Sequence, residues 1–479
     1  MTHGKPVTSR PNIVVFMADD HGRWALPCYG ESELCTPSLD WLAAEGACMK
    51  NAYTPSPVCS PARASFWTGQ LPSMHGIHDY LQEPGRNEHP GINDQITLAQ
   101  RLNALGYATA LCGKWHCGGY QRKQPGFGVW FTQGAGTNAR FGPQPFVEGD
   151  GKRIMLHGHQ AHFITDRAIR FLRSHGDAED TSSGRPRSGE MRAPFFLFVG
   201  YTDTHTPHTG SPERLVARYR ECTFRGIPDE QPSPAHGTVR FQMAQEPERR
   251  REELAQYFAA ISLVDEQIGL VLDELDSQGI LDETIVIYTS DHGHMNGHHG
   301  LHTKGNATVP QNFLDESIQV PCLWRWRGCI EAGVKLDAMV DHCDLHATIL
   351  EAAGGDRAQT GPGASYLAML QGRKQSWRDA QFCEYGNARM IRTWQWKYIK
   401  RYAGPNGVFA DELYDLLNDP RERINLAGEK THSVQITQLR SRLEEHFSKF
   451  EEPSRRGTDI ATQPRCNDWE PWRISPAML

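Results

Sequence analysis

Twelve cysteines are scattered over 479 residues without one C-x-x-C pair. That spacing offers neither a zinc ribbon nor a dithiol redox motif nor a disulfide framework, so mostly free, reduced thiols are expected. No stretch approaches the run of about eighteen apolar residues that a membrane span needs. The polar segment Met1 to Arg10 has no apolar h-region, so no export signal is expected. These absences together predict a cytoplasmic protein without a membrane partner. Positive charge is also in short supply. Fifty Lys and Arg face 57 Asp and Glu, a net charge of −7, which leaves no basic footprint for nucleic acid. Internal repeats and low-complexity tracts are missing too. What remains is a chain with 38% hydrophobic residues, enough for one large domain and a smaller one. Composition leaves a homo-oligomer open.

Several continuous apolar runs suit strands buried on both faces of a parallel sheet. They are Asn12–Ala18, Tyr107–Cys112, Phe195–Val199 and Glu283–Ser290. Stretches with helical patterning separate them: Thr36–Gly46, Thr97–Gly106, Phe163–Ser174 and Glu252–Gln278. Residues 118–160 are rich in Gly, Pro and aromatics and read as loops near a pocket. Residues 176–192 read as a polar surface loop, and 209–250 as an irregular charged insertion. Near residue 375 the pattern turns to short alternating strands, Gln381–Tyr385, Ala388–Thr393 and Trp396–Lys400. A helix over Ser433–Phe450 and a polar tail follow. The expected division is therefore an α/β domain over 1–374 with a mainly parallel sheet, and a smaller α+β subdomain over 375–479.

The chemistry-bearing residues follow the apolar runs. The first run ends in Asp19-Asp20, the second in Lys114 and His116, the third leads to His205, and the fourth ends in Asp291-His292. Two adjacent carboxylates repel unless a cation lies between them, although a solvated acidic loop gives the same pattern. Both reach one ion only if the chain leaves the strand there, and Gly22 allows the bend. Between these runs lies Cys59-Ser60-Pro61-Ala62-Arg63. Pro61 suits the first position of a helix, which puts Cys59 just ahead of an N-terminus that favours negative charge. Arg63 adds a fixed cation about a turn later. An inert, buried Cys in a turn is the plainer alternative. His294, His298, His299 and His302 crowd one loop, but their spacing matches no helix-borne zinc motif.

The string CSPAR followed by ASFWTG resembles the type I sulfatase signature C-x-P-x-R, and further motifs of that family follow in order from about Pro11 to Leu426. The resemblance implies an alkaline-phosphatase-like α/β sandwich and hydrolysis of an organic sulfate monoester, either a sulfated sugar or an aryl or alkyl sulfate. It implies that a formylglycine-generating enzyme oxidises Cys59 to formylglycine, whose hydrate is the nucleophile. Asp19, Asp20, Asp291 and His292, with the modified Cys59, would hold one divalent metal. Calcium comes first, with magnesium or manganese kept open because His292 is a nitrogen donor. GKWH matches the motif in which Lys114 binds sulfate and His116 helps eliminate it from the covalent intermediate. His205 and Lys304 match sulfate or leaving-group contacts, His302 a pocket residue, and Arg63 the support of the nucleophile loop. Glu412 to Leu426 resembles the C-terminal marker of the family, and Asp344 reads as a helix cap. A phosphonate monoester or phosphodiester hydrolase using the same groups is the alternative.

Overall fold

The computed structural model describes residues 10–82, 89–133, 140–176, 193–356 and 361–474. The polar loop expected over 176–192 falls almost wholly outside them. Each apolar run forms a strand because both of its faces are covered by helices, so no alternation of polar residues is needed. Asn12–Ala18 lies at the centre, parallel to Thr284–Ser290 on one side and to Phe195–Gly200 on the other. Ala108–Gly113 and Val129–Gln133 continue in the same direction. The ten-stranded sheet runs Val334–Asp341, Ala47–Tyr53, Cys322–Arg325, Thr284–Ser290, Asn12–Ala18, Phe195–Gly200, Ala108–Gly113, Val129–Gln133, Phe141–Glu148, Lys152–His159. Only Cys322–Arg325 and the last pair run antiparallel to their neighbours. One apolar layer packs under the long helix Pro247–Ser277 and the helix Gln160–Gly176. The other packs under the helices Cys59–Thr68 and His342–Ala352.

Two expectations are corrected here. Residues 118–160 are not a set of pocket loops; they carry three strands that widen the sheet. Phe127, Trp130 and Phe131 are buried in the core and offer no rim to a ligand. The insertion 209–250 contains the helix Glu213–Arg220, which packs its Leu215, Val216 and Tyr219 inward.

The short strands near the C-terminus do form a separate antiparallel sheet, Ala380–Tyr385, Ala388–Thr393, Trp396–Arg401 and Glu412–Asp415. The helix Ser433–Lys449 covers it through Leu439, Leu443 and Phe447. Asp341 caps the helix His342–Ala352 and Asp344 completes a capping box, so Asp344 is structural as expected. Among the described residues no helix is long and apolar enough to cross a membrane. All twelve cysteines are free.

A buried ion network joins the small sheet to the large domain. Asp315 pairs with Arg392 at 2.9 Å and with Lys397 at 2.6 Å, and Lys397 reaches Glu422 at 2.5 Å. Burial alone would raise the Asp315 carboxyl, but Arg392 and Lys397 outweigh it and hold the group well below the usual carboxylate range. A carboxyl held low in the folded state stabilises fully above its ordinary value of about 4 and loses that contribution as pH falls through its folded value. Asp315→Asn is therefore expected to cost about 3–5 kcal/mol at neutral pH, because it leaves buried cations short of a partner. It should also flatten the acid side of the stability curve. Urea unfolding of both proteins from pH 7 downward checks this.

Candidate active site

Because the central strands are parallel, their carboxyl ends share one edge, and ligands bind beyond such an edge. The chain leaves Asn12–Ala18 through Asp19 and Asp20. The turn is made by Asp20 itself, in the left-handed region at φ +62°, and not by Gly22. Gly22 is needed for another reason: a Cβ there would lie 2.4 Å from Trp24 Nε1. A non-glycine residue held left-handed costs energy and marks a place where the surroundings dictate the backbone. His116, at φ +56°, is a second such residue.

Cys59 is the first residue of the helix Cys59–Thr68, which starts two residues earlier than Pro61 predicted. Its Sγ lies 3.4 Å from Asp19 Oδ1, 3.2 Å from His292 Nε2 and 3.0 Å from Lys304 Nζ. The helix N-terminus does not make the thiol anionic. Burial, then Asp19, push its pKa far up, so the unmodified thiol stays protonated at neutral pH. Arg63, fully buried, sends Nε to Asp291 Oδ2 at 2.8 Å and Nη1 to the Lys114 carbonyl at 3.3 Å, with Asp19 3.9 Å from Nη2. Lys114 pairs with Asp19, and Lys304 with Asp20 at 2.5 Å.

These groups balance. Asp19, Asp20 and Asp291 face Arg63, Lys114 and Lys304, one cation for each carboxylate. Burial raises the Asp19 and Asp20 carboxyls, but the surrounding cations win and hold both low. Asp291 is pushed up by burial and by Asp19. A dication and a sulfate dianion added together would leave the balance unchanged. The donor set also fits a metal. His292 donates Nδ1–H to the Gly293 carbonyl at 2.8 Å, which fixes its tautomer and turns an unprotonated Nε2, 3.2 Å from Lys304 Nζ, toward Asp20 Oδ1 at 3.2 Å and Asp291 Oδ1 at 3.4 Å. Ligand atoms of Asp19, Cys59, Asp291 and His292 lie within 4.8 Å of one another, as do those of Asp19, Asp20, Cys59 and His205.

His116 donates Nε2–H to the Leu81 carbonyl at 2.9 Å, and its Nδ1 is buried without a partner. Burial first, then Lys114, hold its pKa well below the ordinary value, so the ring is neutral and Nδ1 is a base. His205 donates Nδ1–H to the Thr206 carbonyl at 2.5 Å, and burial holds its pKa down near 3. Lys304 differs: burial opposes its charge, but Asp20 and the other anions outweigh it and keep the ammonium ionised.

All the expected site residues except His302 thus meet around Cys59, Asp19 and Asp20. His302 sits one layer out, beside His208 and His294. His208 is buried as well. Several supports gave no signal in the sequence. Tyr257 lies on the apolar stripe of the long helix, yet its hydroxyl donates to the Asp20 carbonyl at 3.0 Å and accepts from Gly22 N at 3.1 Å. Thr204 Oγ1 donates to the Asp19 carbonyl. The C-terminal tail reaches the site indirectly. The Cys466 carbonyl accepts from Gln82 N, Asn467 donates to the Tyr80 carbonyl, and Leu81 between them accepts from His116 and donates to Ser60. Tyr257→Phe leaves two buried backbone groups unpaired at a strained turn. A loss of about 1–3 kcal/mol in stability is expected, with kcat falling more than KM changes, as steady-state kinetics and thermal melts would show.

A parallel sheet of this order, with acid, cation and thiol groups beyond one edge, fits the alkaline-phosphatase-like architecture that the resemblance implied. The sulfatase family model matches residues 11–355, and the model described as N-sulphoglucosamine sulphohydrolase, C-terminal, matches 297–449. The chain belongs to the sulfatase family and is a sulfuric ester hydrolase. It is similar to an N-acetylglucosamine-6-O-sulfatase of Bacteroides thetaiotaomicron, 28% identical over 94% of this chain and 88% of that one. It is also similar to a choline-sulfatase of Rhizobium meliloti, 30% identical over 88% of this chain and 83% of that one. A solved structure in complex with its substrate D-glucosamine-2-N,6-O-disulfate superposes with a TM-score of 0.77 at 25% identity, covering 93% and 99% of the two chains.

Proposed function

We propose that this sulfatase works through formylglycine at position 59 and a hard dication, calcium first, held by Asp19, Asp20, Asp291 and His292. The observation that carries this reading is the buried meeting of Cys59 Sγ with Asp19, His292 and Lys304, in a site whose own charges cancel. When present, the modified side chain supplies a geminal diol as nucleophile, and the dication lowers the pKa of one of its hydroxyls. Lys114 and Lys304 bind the sulfuryl oxygens as fixed cations, the usual dominant electrostatic contribution. His205, neutral with its proton on Nδ1, presents an unprotonated Nε2 and becomes a donor to a sulfuryl or leaving oxygen only on taking up a proton. Lys304, the ionised donor, is better placed than His205 to deliver a proton to the leaving oxygen. His116 Nδ1 would be the base that takes the proton of the remaining hydroxyl as the C–O bond to sulfate breaks and the aldehyde re-forms. Arg63 positions Asp291 and the Lys114 backbone without touching substrate.

A formylglycine-generating enzyme must read Cys59 to Arg63 while that segment is accessible. All five residues are buried in the folded chain, so modification precedes completion of the fold. For the substrate we infer a small or oligomeric sulfated sugar, with aryl or alkyl sulfates next. The support is the likeness to proteins named for N-acetylglucosamine-6-sulfate and to the disulfated glucosamine complex, since the aromatics of 118–160 are core. The likeness to a choline-sulfatase keeps a small alkyl sulfate in the panel. The phosphonate reading is not favoured by these matches.

The test is peptide mass across residue 59 beside sulfate release, with metal analysis, on glucosamine 6-sulfate, choline sulfate, an aryl sulfate and the matched aryl phosphonate. Formylglycine with calcium-dependent sulfate release is the expected result. Unmodified Cys59 in an active sample, or faster turnover of the phosphonate, would overturn it.

A further inference from the structure

A second cluster of ligating side chains lies beside the site and shares none of its residues. His208 follows the strand Phe195–Gly200, while His294 and His302 come from the histidine-rich loop after Thr284–Ser290. Their ring centroids are 5.3, 5.5 and 5.5 Å apart, and one ligand atom from each lies within 4.8 Å of the other two. The other two histidines of the loop are used elsewhere. His298 Nδ1 donates to the Met295 carbonyl at 2.8 Å, and His299 Nε2 binds Glu316 at 2.7 Å. The three rings that meet are thus drawn from two segments of the chain.

The ring nitrogens of this cluster are unpaid polar groups in the physical sense. His294 is fully buried, and neither of its nitrogens has a hydrogen-bond partner. Nε2 of His208 and Nε2 of His302 are buried without partners as well. Buried polar atoms are nearly always paired, and several unpaired ones converging on one point call for a ligand between them. Tyr257 holds the arrangement, stacking on His294 at 5.4 Å and packing 5.0 Å from His208. A set of three imidazoles without a carboxylate among them suits a borderline dication such as zinc far better than calcium, and three histidines leave a fourth position open. His302 is half-buried, so that position can face the solvent side.

We propose that His208, His294 and His302 form a second metal site, for a zinc-type transition dication, distinct from the carboxylate-rich site. Asp20 links the two. Its Oδ2 is 3.6 Å from His294 Nδ1 and has no hydrogen-bond partner, while its Oδ1 faces Lys304 and His292. With Nε2 of His294 on the metal, Nδ1–H faces Asp20, the carboxylate–histidine pairing that orients metal-bound imidazoles. The two sites would then be coupled through Asp20 and sense each other's occupancy.

The test uses the full-length protein, stripped with a chelator, refilled with excess calcium and titrated with cobalt(II) as an optical probe and zinc(II) as competitor. One calcium-resistant equivalent of cobalt is expected, with the strong visible absorption of low-coordinate nitrogen ligation, displaced by zinc. His302→Gln, at the half-buried edge, should weaken it by at least about tenfold, since even second-sphere changes cost that much. His208→Ala provides an independent variant should one fail to fold, with thermal melts as the check. Asp291→Asn, which alters only the carboxylate-rich site, should keep cobalt bound. Absence of calcium-resistant binding, binding as tight as wild type in both histidine variants, or loss of binding in Asp291→Asn alone would overturn the proposal.

Discussion

Cys59→Ala releases no sulfate above background, a fall of at least about a thousandfold, because removing a nucleophile leaves only binding and electrostatic stabilisation. Serine is expected to fare no better without conversion to the aldehyde. The physical reason lies in the environment of the side chain. Cys59 is 2% exposed, beside Asp19, and burial with that carboxylate keeps its thiol protonated. An unmodified thiol there is a poor nucleophile whatever the pull of the helix N-terminus. Activity of wild-type preparations should therefore scale with the fraction of the residue-59 peptide found as formylglycine. Protein from a host lacking the modification should behave like Cys59→Ala. The fold is expected to tolerate alanine, since the change removes one sulfur from a polar cavity; a thermal melt separates loss of chemistry from loss of structure. Sulfate release by Cys59→Ala at more than a few per cent of wild type would sink the assignment of Cys59.

The strand ends were legible because a buried parallel strand must be apolar throughout, so each charged residue that follows one stands out. Asp19, Lys114 and Asp291 were found that way, and the structure brings them together around Cys59. Strands hidden by composition were not. Phe141–Glu148 carries Pro143 and Pro145, which read as loop. Among the described residues its register with Val129–Gln133 covers residues 146–148, clear of both prolines. Groups that act through tertiary neighbours were equally silent. Tyr257 sits at a core position of its helix, and only the fold shows its hydroxyl holding the Asp20 turn. His208 has the same character: it lies far from His294 in sequence, and only the fold brings the two rings together.

Arg63→Met is expected to destabilise the protein by about 3–5 kcal/mol and to abolish most activity, because it leaves buried carboxylates short of a partner. Arg63 has no exposed surface and spreads one charge over three neighbours: Asp291, Asp19 and the Lys114 carbonyl. Those neighbours come from three separate strand ends, so the guanidinium fixes their spacing as well as their charge. Arg63→Lys should not restore either property. An ammonium is a single point charge on a flexible stem and cannot serve three directions at once. The dication proposed for Asp19, Asp20, Asp291 and His292 would act on the same carboxylates. Saturating calcium should therefore stabilise both variants, by about 2.7 kcal/mol where the ion stands at a hundred times its dissociation constant. It should not bring back turnover, because Lys114 loses its backbone anchor. Urea unfolding and steady-state sulfate release, each with calcium and with chelator, read the two effects separately. An Arg63→Lys enzyme with near wild-type kcat would show that charge alone suffices at this position, and that the three-way geometry of Arg63 is dispensable.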